Sequence, residues 1–134
     1  MRHSFYQKSR AVRLAATLLT VVTISPAWAQ QGDVTKGGEL FATHCAECHS
    51  MKEGKDKKGP SLFSIFDNKA ALRENYVYSD ALRNSHITWN AESLGAYLTN
   101  PKKLVPGGKM KYDGLESASE RADLIAYLAR QSKH

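Results

Sequence analysis

The first helical pattern lies in residues 34–44, VTKGGELFATH, where Val34, Leu40 and Phe41 offer apolar surface. Asp33 precedes this stretch as its predicted N-cap. Gly37 lies four positions before Phe41, and a glycine inside a helix costs about 1 kcal/mol relative to alanine. We therefore expect another element to pack closely against Gly37.

The clearest helical pattern is at the end of the chain. Ser117, with Glu120 three residues later, predicts a capping box, and the helix is expected to run to Gln131. Apolar residues then recur on one face, at Ala118, Ala122, Ile125 and Leu128 or Ala129.

A shorter helix is predicted between these two, over residues 91–98. Asn90 is the N-cap of this helix. The helix stops at Asn100, because Pro101 disfavours helical geometry in the residue that precedes it. Residues 50–88 and 101–114 are predicted to be mainly loop with short helical turns, and the sequence shows no sustained strand pattern. This indicates an all-α domain whose long loops wrap a functional group.

Residues 1–29 have the pattern of a cleaved secretory signal peptide. Four basic residues lead into a run of 12 uncharged, mostly apolar residues at 14–25, and Ala27-Trp28-Ala29 has the small-x-small pattern of a cleavage site. The run is shorter than the roughly 20 residues that a transmembrane helix needs. We expect cleavage before Gln30 and export to the periplasm, with residues 30–134 forming a single soluble domain.

The chain has 134 residues and a net charge of +6, but most of that charge belongs to the leader. Residues 1–29 hold four of the 19 Lys and Arg and none of the 13 Asp and Glu. Residues 30–134 therefore carry 15 basic and 13 acidic side chains, a net charge of +2. Nucleic-acid binding loses its electrostatic basis, and neither a nucleic-acid partner nor stable membrane insertion is expected.

Candidate chemistry is concentrated at residues 45–49, Cys-Ala-Glu-Cys-His. Two cysteines at this spacing also fit a redox dithiol, a disulfide or half of a zinc site. However, a structural zinc needs four ligands, and a thioredoxin-type centre needs a preceding strand; the sequence offers neither. With His49 directly after Cys48, the pattern predicts covalent haem c, in which Cys45 and Cys48 form thioethers and His49 binds the iron.

With this motif in place, the chain resembles the class I cytochromes c, of mitochondrial type and their bacterial relatives. The resemblance covers nearly all of residues 30–134. It rests on GGELFATHCAECH at 37–49, GP at 59–60, YVYSDA at 76–81, Trp89, YLTNPKK at 97–103, PGGKM at 106–110 and ERADLIAYL at 120–128. It implies an all-α fold in which three main helices and long loops surround one haem c. The first and last helices would cross near Gly37, Phe41 and Tyr127.

The resemblance also implies that Met110 is the second axial ligand and that the Pro60 carbonyl is the hydrogen-bond partner of His49. Reasoning from the residues agrees, because Met51 lies only two positions after His49 and cannot reach the opposite face of the haem. His86 remains a competing sixth ligand, and a bis-His iron would have a lower potential.

Further contacts follow from the resemblance. Family members use aromatic residues at matching positions to bind a buried propionate or to pack beside the Met sulfur, here Tyr76, Tyr78, Trp89 and Tyr97, although ordinary core packing is the alternative. Lysines around an exposed haem edge would dock acidic redox partners, the candidates being Lys52, Lys57, Lys58, Lys102, Lys103, Lys109 and Lys111. The alternative for these lysines is a simple solvated surface.

Four positions depart from the family pattern. Ser61 and Leu82 stand where Asn is common, Asn68 stands where Arg is frequent, and Gly108 stands where Thr is often found. The changes remove a cation and several polar groups expected near the haem propionates. We therefore expect a raised propionate pKa and a reduction potential that varies with pH.

The sequence thus predicts a monomeric one-electron carrier, not an enzyme, that serves redox proteins of a respiratory or photosynthetic chain with both axial positions filled. One alternative is a haem-based sensor of small ligands, or a weak peroxidase, in which Met110 leaves the iron. Another is a fixed haem subunit of a larger dehydrogenase or oxidase. Binding of carbon monoxide separates the carrier from the sensor or peroxidase.

Overall fold

A computed structural model of the protein describes residues 32–132. In that range the chain forms α1 (Val34–His44), α2 (Asp80–Arg83), α3 (Ala91–Thr99), α4 (Pro101–Leu104) and α5 (Ala118–Gln131), and no strands. The predicted all-α architecture is confirmed, with α1, α3 and α5 as the three main helices. The predicted leader and its cleavage before Gln30 lie outside the described residues.

The three predicted helix starts are found where the capping residues indicated. The Asp33 carboxylate accepts hydrogen bonds from Thr35 N and Lys36 N, at 2.8 and 3.2 Å, and α1 covers the predicted residues 34–44. Ser117 Oγ accepts from Glu120 N at 3.3 Å, and α5 ends at Gln131 as predicted. Each bond satisfies an N–H group that the first helical turn leaves without a partner.

Helix α3 begins with a reciprocal capping box. The Asn90 side chain accepts from Ser93 N, and the Ser93 hydroxyl accepts from Asn90 N, both at 2.9 Å. The helix ends at Thr99, next to Asn100 in extended geometry, as expected for a residue that precedes a proline. Pro101 then starts the single turn α4.

The crossing of α1 over α5 explains the glycine inside α1. A Cβ atom on Gly37 would lie 2.0 Å from the Asp123 carbonyl oxygen and 2.7 Å from Tyr127 Cβ, so only a glycine lets the two backbones meet. One turn later, the rings of Phe41 and Tyr127 pack with centroids 5.5 Å apart. The crossing lies at the three residues where the family resemblance placed it.

In the long loops, several residues other than glycine adopt the left-handed backbone conformation that glycine adopts most easily. Ser64, Asp67, Ala71 and His86 have φ between 52° and 62°. Ala71 and its neighbours belong to the segment between residues 62 and 88, which closes through backbone bonds from Ala70 N to Ile87 O and from Trp89 N to Asn68 O, at 2.7 and 2.9 Å. This segment forms one wall of the cavity described below.

Two hydrophobic clusters make up the core of the described part of the chain. One contains Phe41, Leu124 and Leu128 from α1 and α5, and the other contains Trp89 and Tyr97. Members of both clusters line a single cavity, which therefore lies between them. No helix within residues 32–132 has the length and apolarity required to span a membrane.

Candidate functional site

The Cys-x-x-Cys-His segment directly follows α1. Cys45 is the C-cap of the helix, and the next turn is closed by bonds from Cys48 N and His49 N to the Cys45 carbonyl, at 3.1 and 2.8 Å. This tight turn brings Cys45, Cys48 and His49 to the same cavity. The structure thus brings together the three residues that the sequence motif predicted to act together.

The His49 ring is closely packed and hydrogen-bonded on one side. Its Nδ1 lies 2.7 Å from the Pro60 carbonyl oxygen, so Nδ1 carries the proton and Nε2 is the nitrogen left for a ligand bond. A Cβ atom on Gly59 would lie 2.4 Å from His49 Cε1, so the glycine is required for the ring to fit. Burial lowers the pKa of His49 more than the Pro60 bond raises it, which favours the neutral, metal-binding imidazole.

The Cys45 thiol does not have the character of a reactive redox thiol. Burial, with the neighbouring Cys48, raises the pKa of Cys45 to about 11, whereas reactive dithiol centres depend on a lowered pKa. The thiols are also not joined as a disulfide. Within residues 32–132, no group of three or more His, Cys, Asp and Glu side chains is placed to hold a metal ion.

Met110 lines the same cavity of about 500 Å³ as His49 and both cysteines. It packs against the cluster of Trp89 and Tyr97, on a loop where Gly107 has φ +86°. The competing ligand His86 is exposed and is absent from the cavity wall. Met51 is also absent from this wall and packs on the other core cluster. The geometry therefore favours Met110 as the partner of His49.

The four predicted aromatic residues all line the cavity. Trp89, Tyr97 and Tyr78 are at most 9% exposed, and the rings of Trp89 and Tyr97 lie 5.0 Å apart. Tyr76 is half-buried, stacks edge-on against Tyr78 at 4.8 Å, and donates from its hydroxyl to the Lys58 carbonyl at 3.1 Å. Burial raises the pKa of Tyr97 and, against the opposing effect of the Arg73 charge, the pKa of Tyr78.

The structure divides the seven candidate docking lysines into two groups. Lys58, Lys109 and Lys111 are exposed and border the cavity. The other four do not border it, namely Lys52, Lys57, Lys102 and Lys103. Some of the charges are locally engaged: Lys58 pairs with Glu47, and Lys102 pairs with Asp113 at 2.7 Å.

The sequence analysis missed two cavity residues that carry unpartnered polar atoms. Arg73 and Tyr112 both line the cavity, and the Arg73 Nε and the Tyr112 hydroxyl are buried without a hydrogen-bond partner among the described residues. Tyr112 could have been noticed because it lies two residues after Met110. Arg73 could have been noticed as the first arginine after the leader, inside a segment otherwise interpreted as loop.

Helices and loops that close around a cavity carrying both thiols are the arrangement of a small c-type haem protein. Comparison with known proteins agrees, since residues 34–132 match the family described as Cytochrome c. The chain belongs to the cytochrome c family and has its class I fold. It is therefore an electron carrier with a covalently bound haem c and its iron.

Similar proteins are named cytochrome c in distant organisms. The protein of the fungus Gibberella zeae is 47% identical over 103 residues, which are 76% of this chain and 97% of the relative. That of Theileria annulata is 47% identical over 103 residues, 76% of this chain and 89% of the relative. That of Arabidopsis thaliana is 43% identical over 104 residues, 77% of this chain and 93% of the relative.

These relatives overturn the predicted cellular location. They are eukaryotic cytochromes c of mitochondrial type, not exported proteins of a periplasm, so the prediction of a periplasmic location is wrong. The error has a physical origin in the composition of residues 1–29. A basic stretch without acidic residues is shared by secretory signals and by organellar transit peptides, and it does not by itself identify the compartment.

The residues around the cavity fit the haem that the family implies. Both thiols lie on its wall, an imidazole and a thioether face it, and most of the other lining side chains are aliphatic or aromatic. The unpartnered Arg73 Nε and Tyr112 hydroxyl point to polar or cofactor contacts beyond those the protein provides, because buried polar atoms in native proteins are rarely left unsatisfied.

Proposed function

We propose that the protein carries electrons between redox proteins of a respiratory or photosynthetic chain, with Cys45 and Cys48 as the thioether residues and His49 and Met110 as axial ligands. The main observation in support of this proposal is that these four side chains line one cavity, whereas His86 is exposed and lies outside it. When bound, the haem supplies an iron that accepts and releases one electron.

The protein's own contribution is to hold the ligands in place. The Pro60 carbonyl accepts the Nδ1 proton of His49, which fixes the tautomer and the ring orientation. Gly59 and the turn at Cys45 leave the ring little freedom to move. A ligand held in this way needs little rearrangement when the charge on the iron changes, and this supports the carrier role.

Access for partners is proposed at the exposed side of the cavity, bordered by Lys109 and Lys111. Within residues 32–132, neither lysine forms an ion pair, whereas Lys58 at the same border is paired with Glu47. Unpaired positive charges around an opening favour encounter with an acidic surface, an effect that salt weakens.

The ligand proposal is tested with Met110→Ala and the matched control His86→Ala, each compared with the haem-loaded wild type. We expect the wild type and His86→Ala to have low-spin spectra that carbon monoxide does not change. Met110→Ala should lose the methionine–iron charge-transfer band and bind carbon monoxide. An unchanged spectrum in Met110→Ala would refute the assignment, and carbon monoxide binding by the wild type would favour a sensor or peroxidase.

The docking proposal is tested by the rate of electron transfer to a purified cytochrome oxidase at several ionic strengths. The double variant Lys109→Gln, Lys111→Gln should react more slowly at low salt and depend less on salt than the wild type. Lys36→Gln is the control, because Lys36 is an exposed lysine on α1 that does not border the cavity. Equal salt dependence in both variants would contradict docking through these two lysines.

A further inference from the structure

The segment between residues 62 and 88 brings a guanidinium group to the cavity wall. Arg73 Nε is buried and has no hydrogen-bond partner among the described residues, although the side chain as a whole is 29% exposed. On the outer side, Arg73 Nη2 lies 3.3 Å from Asp56 Oδ1. The guanidinium is thus held from one side and has an unused donor on another.

A buried donor of a charged group is costly to leave unsatisfied, because the group has lost its hydrogen bonds to water without gaining a partner in the protein. Its position beside the cavity restricts the partner to something that enters the cavity. The planar guanidinium matches a carboxylate, to which it donates through a charge-assisted hydrogen bond. The haem carries two carboxylates, on its propionate side chains, and no other group that combines negative charge with planar geometry.

We propose that Arg73, anchored by Asp56, donates from Nε to a propionate of the haem and supplies the positive charge that Asn68 cannot. This inference rests on the proposed binding of the haem in the cavity. Asn68 lines the same cavity, but its Nδ2 donates to the Ser64 carbonyl at 2.6 Å, so its amide is used within its own turn and carries no charge.

The surroundings of Arg73 support the same role. Tyr78 lies close enough that the Arg73 charge counteracts part of the rise that burial causes in the pKa of the phenol. Asp56 is itself fixed, because its Oδ1 accepts from Ser61 N at 2.8 Å. The backbone N–H of Ser61 therefore orients the carboxylate that orients Arg73, and this contact does not depend on the side chain at position 61. Arg73 is a binding residue for the haem, and Asp56 is a positioning residue that acts through it.

The first test uses haem-loaded Arg73→Gln. It measures the midpoint potential of the haem, and it measures the pKa of the propionates by titration monitored with nuclear magnetic resonance. Loss of a cation beside the haem destabilises the reduced iron and the ionised propionate, so the potential should fall and the propionate pKa should rise. Arg73→Lys should restore most of the potential. Arg130→Gln makes the same change of charge at an exposed site on α5 and should alter neither value.

The result that overturns the proposal is an Arg73→Gln variant with an intact low-spin spectrum whose potential and propionate pKa equal those of Arg130→Gln. Such a result leaves the ligand assignment standing. Failure of that assignment is recognised separately, by carbon monoxide binding in the wild type.

A second variant keeps the proposal testable if Arg73→Gln does not load haem. Asp56→Asn removes the anion that partly neutralises Arg73, so the potential should rise more than in Glu53→Gln, an exposed control in the same loop. Equal potentials in these two variants would overturn the proposal.

Discussion

Substitution of Gly37 by alanine tests whether the crossing of α1 and α5 determines the stability of the fold. The added Cβ would lie 2.0 Å from the Asp123 carbonyl oxygen, whereas ordinary contact begins at 3.4 Å. The obstacle is backbone, which cannot rotate away as a side chain can. Helix α1 must therefore move away from α5, and the contacts on either side of Gly37 must weaken.

The magnitude follows from what this movement disturbs. Overpacking against a fixed neighbour costs about 1–3 kcal/mol. The Phe41–Tyr127 pair contributes about 0.5–1.5 kcal/mol, and the bond of 2.7 Å from Asp33 N to Asp123 Oδ1 about 1 kcal/mol. The higher helix propensity of alanine offsets about 1 kcal/mol. We therefore expect Gly37→Ala to lower the free energy of unfolding by about 1.5–4.5 kcal/mol.

The matched control is Gly38→Ala, one residue further along the same helix. There the new Cβ would lie 3.3 Å from Tyr127 Cε2, the edge of a ring that can yield, so the gain in helix propensity should leave stability unchanged or higher by up to about 1 kcal/mol. Denaturant unfolding of both haem-loaded variants, followed by circular dichroism, gives the comparison. The reasoning is refuted if Gly37→Ala is as stable as Gly38→Ala.

Three further predictions concern the cavity and its walls. Gly59→Ala should displace His49 and weaken the low-spin spectrum, because its Cβ would lie 2.4 Å from the ring, and an unaltered spectrum contradicts this. Ala71→Gly should raise the free energy of unfolding by about 1 kcal/mol by relieving a φ of 59°, and a less stable variant contradicts it. Burial raises the pKa of Tyr97, so the folded state holds the phenol proton more tightly than the unfolded state does. The protein therefore loses stability as the pH rises above the unfolded pKa of about 10. Tyr97→Phe should therefore lose less stability than the wild type between neutral and strongly alkaline pH, and equal losses in denaturant titrations contradict this.

The helices could be predicted from the sequence because their signals are local. Asp33, Asn90 and Ser117 each satisfy N–H groups within three residues, so neither distant contacts nor the cofactor is needed to place a helix start. The requirement for Gly37 was also visible, as an energetic cost inside a helix. The family resemblance placed the crossing near Phe41 and Tyr127, but the backbone that Gly37 meets, at Asp123, was identified only from the structure.

The cavity wall was harder to predict because it is built by loops. Arg73 reaches the cavity through a segment closed by bonds between residues about 20 positions apart, and no periodic pattern reports such closure. The left-handed conformations of Ser64 and Ala71 were equally invisible, because neither residue type favours a positive φ. Asp67 and His86 belong to types that are enriched at positive φ, but that enrichment does not identify the individual positions. The departures at Ser61 and Asn68 were recognised, but the cation that replaces the missing charge was not.

The two proposed iron ligands are held by parts of the fold with different degrees of anchoring. His49 follows directly on α1, is bonded to the Cys45 carbonyl and to Pro60, and is connected through that helix to the close-packed crossing with α5. Met110 lies on a loop whose preceding residues 106–109 are exposed, and which turns at a glycine of positive φ. Segments with few buried contacts open at lower free energy than the core does. His49 is therefore the more rigidly held of the two proposed ligands. Substitutions in the loop that carries Met110 can change the sixth ligand of the iron with less loss of overall stability than substitutions around His49.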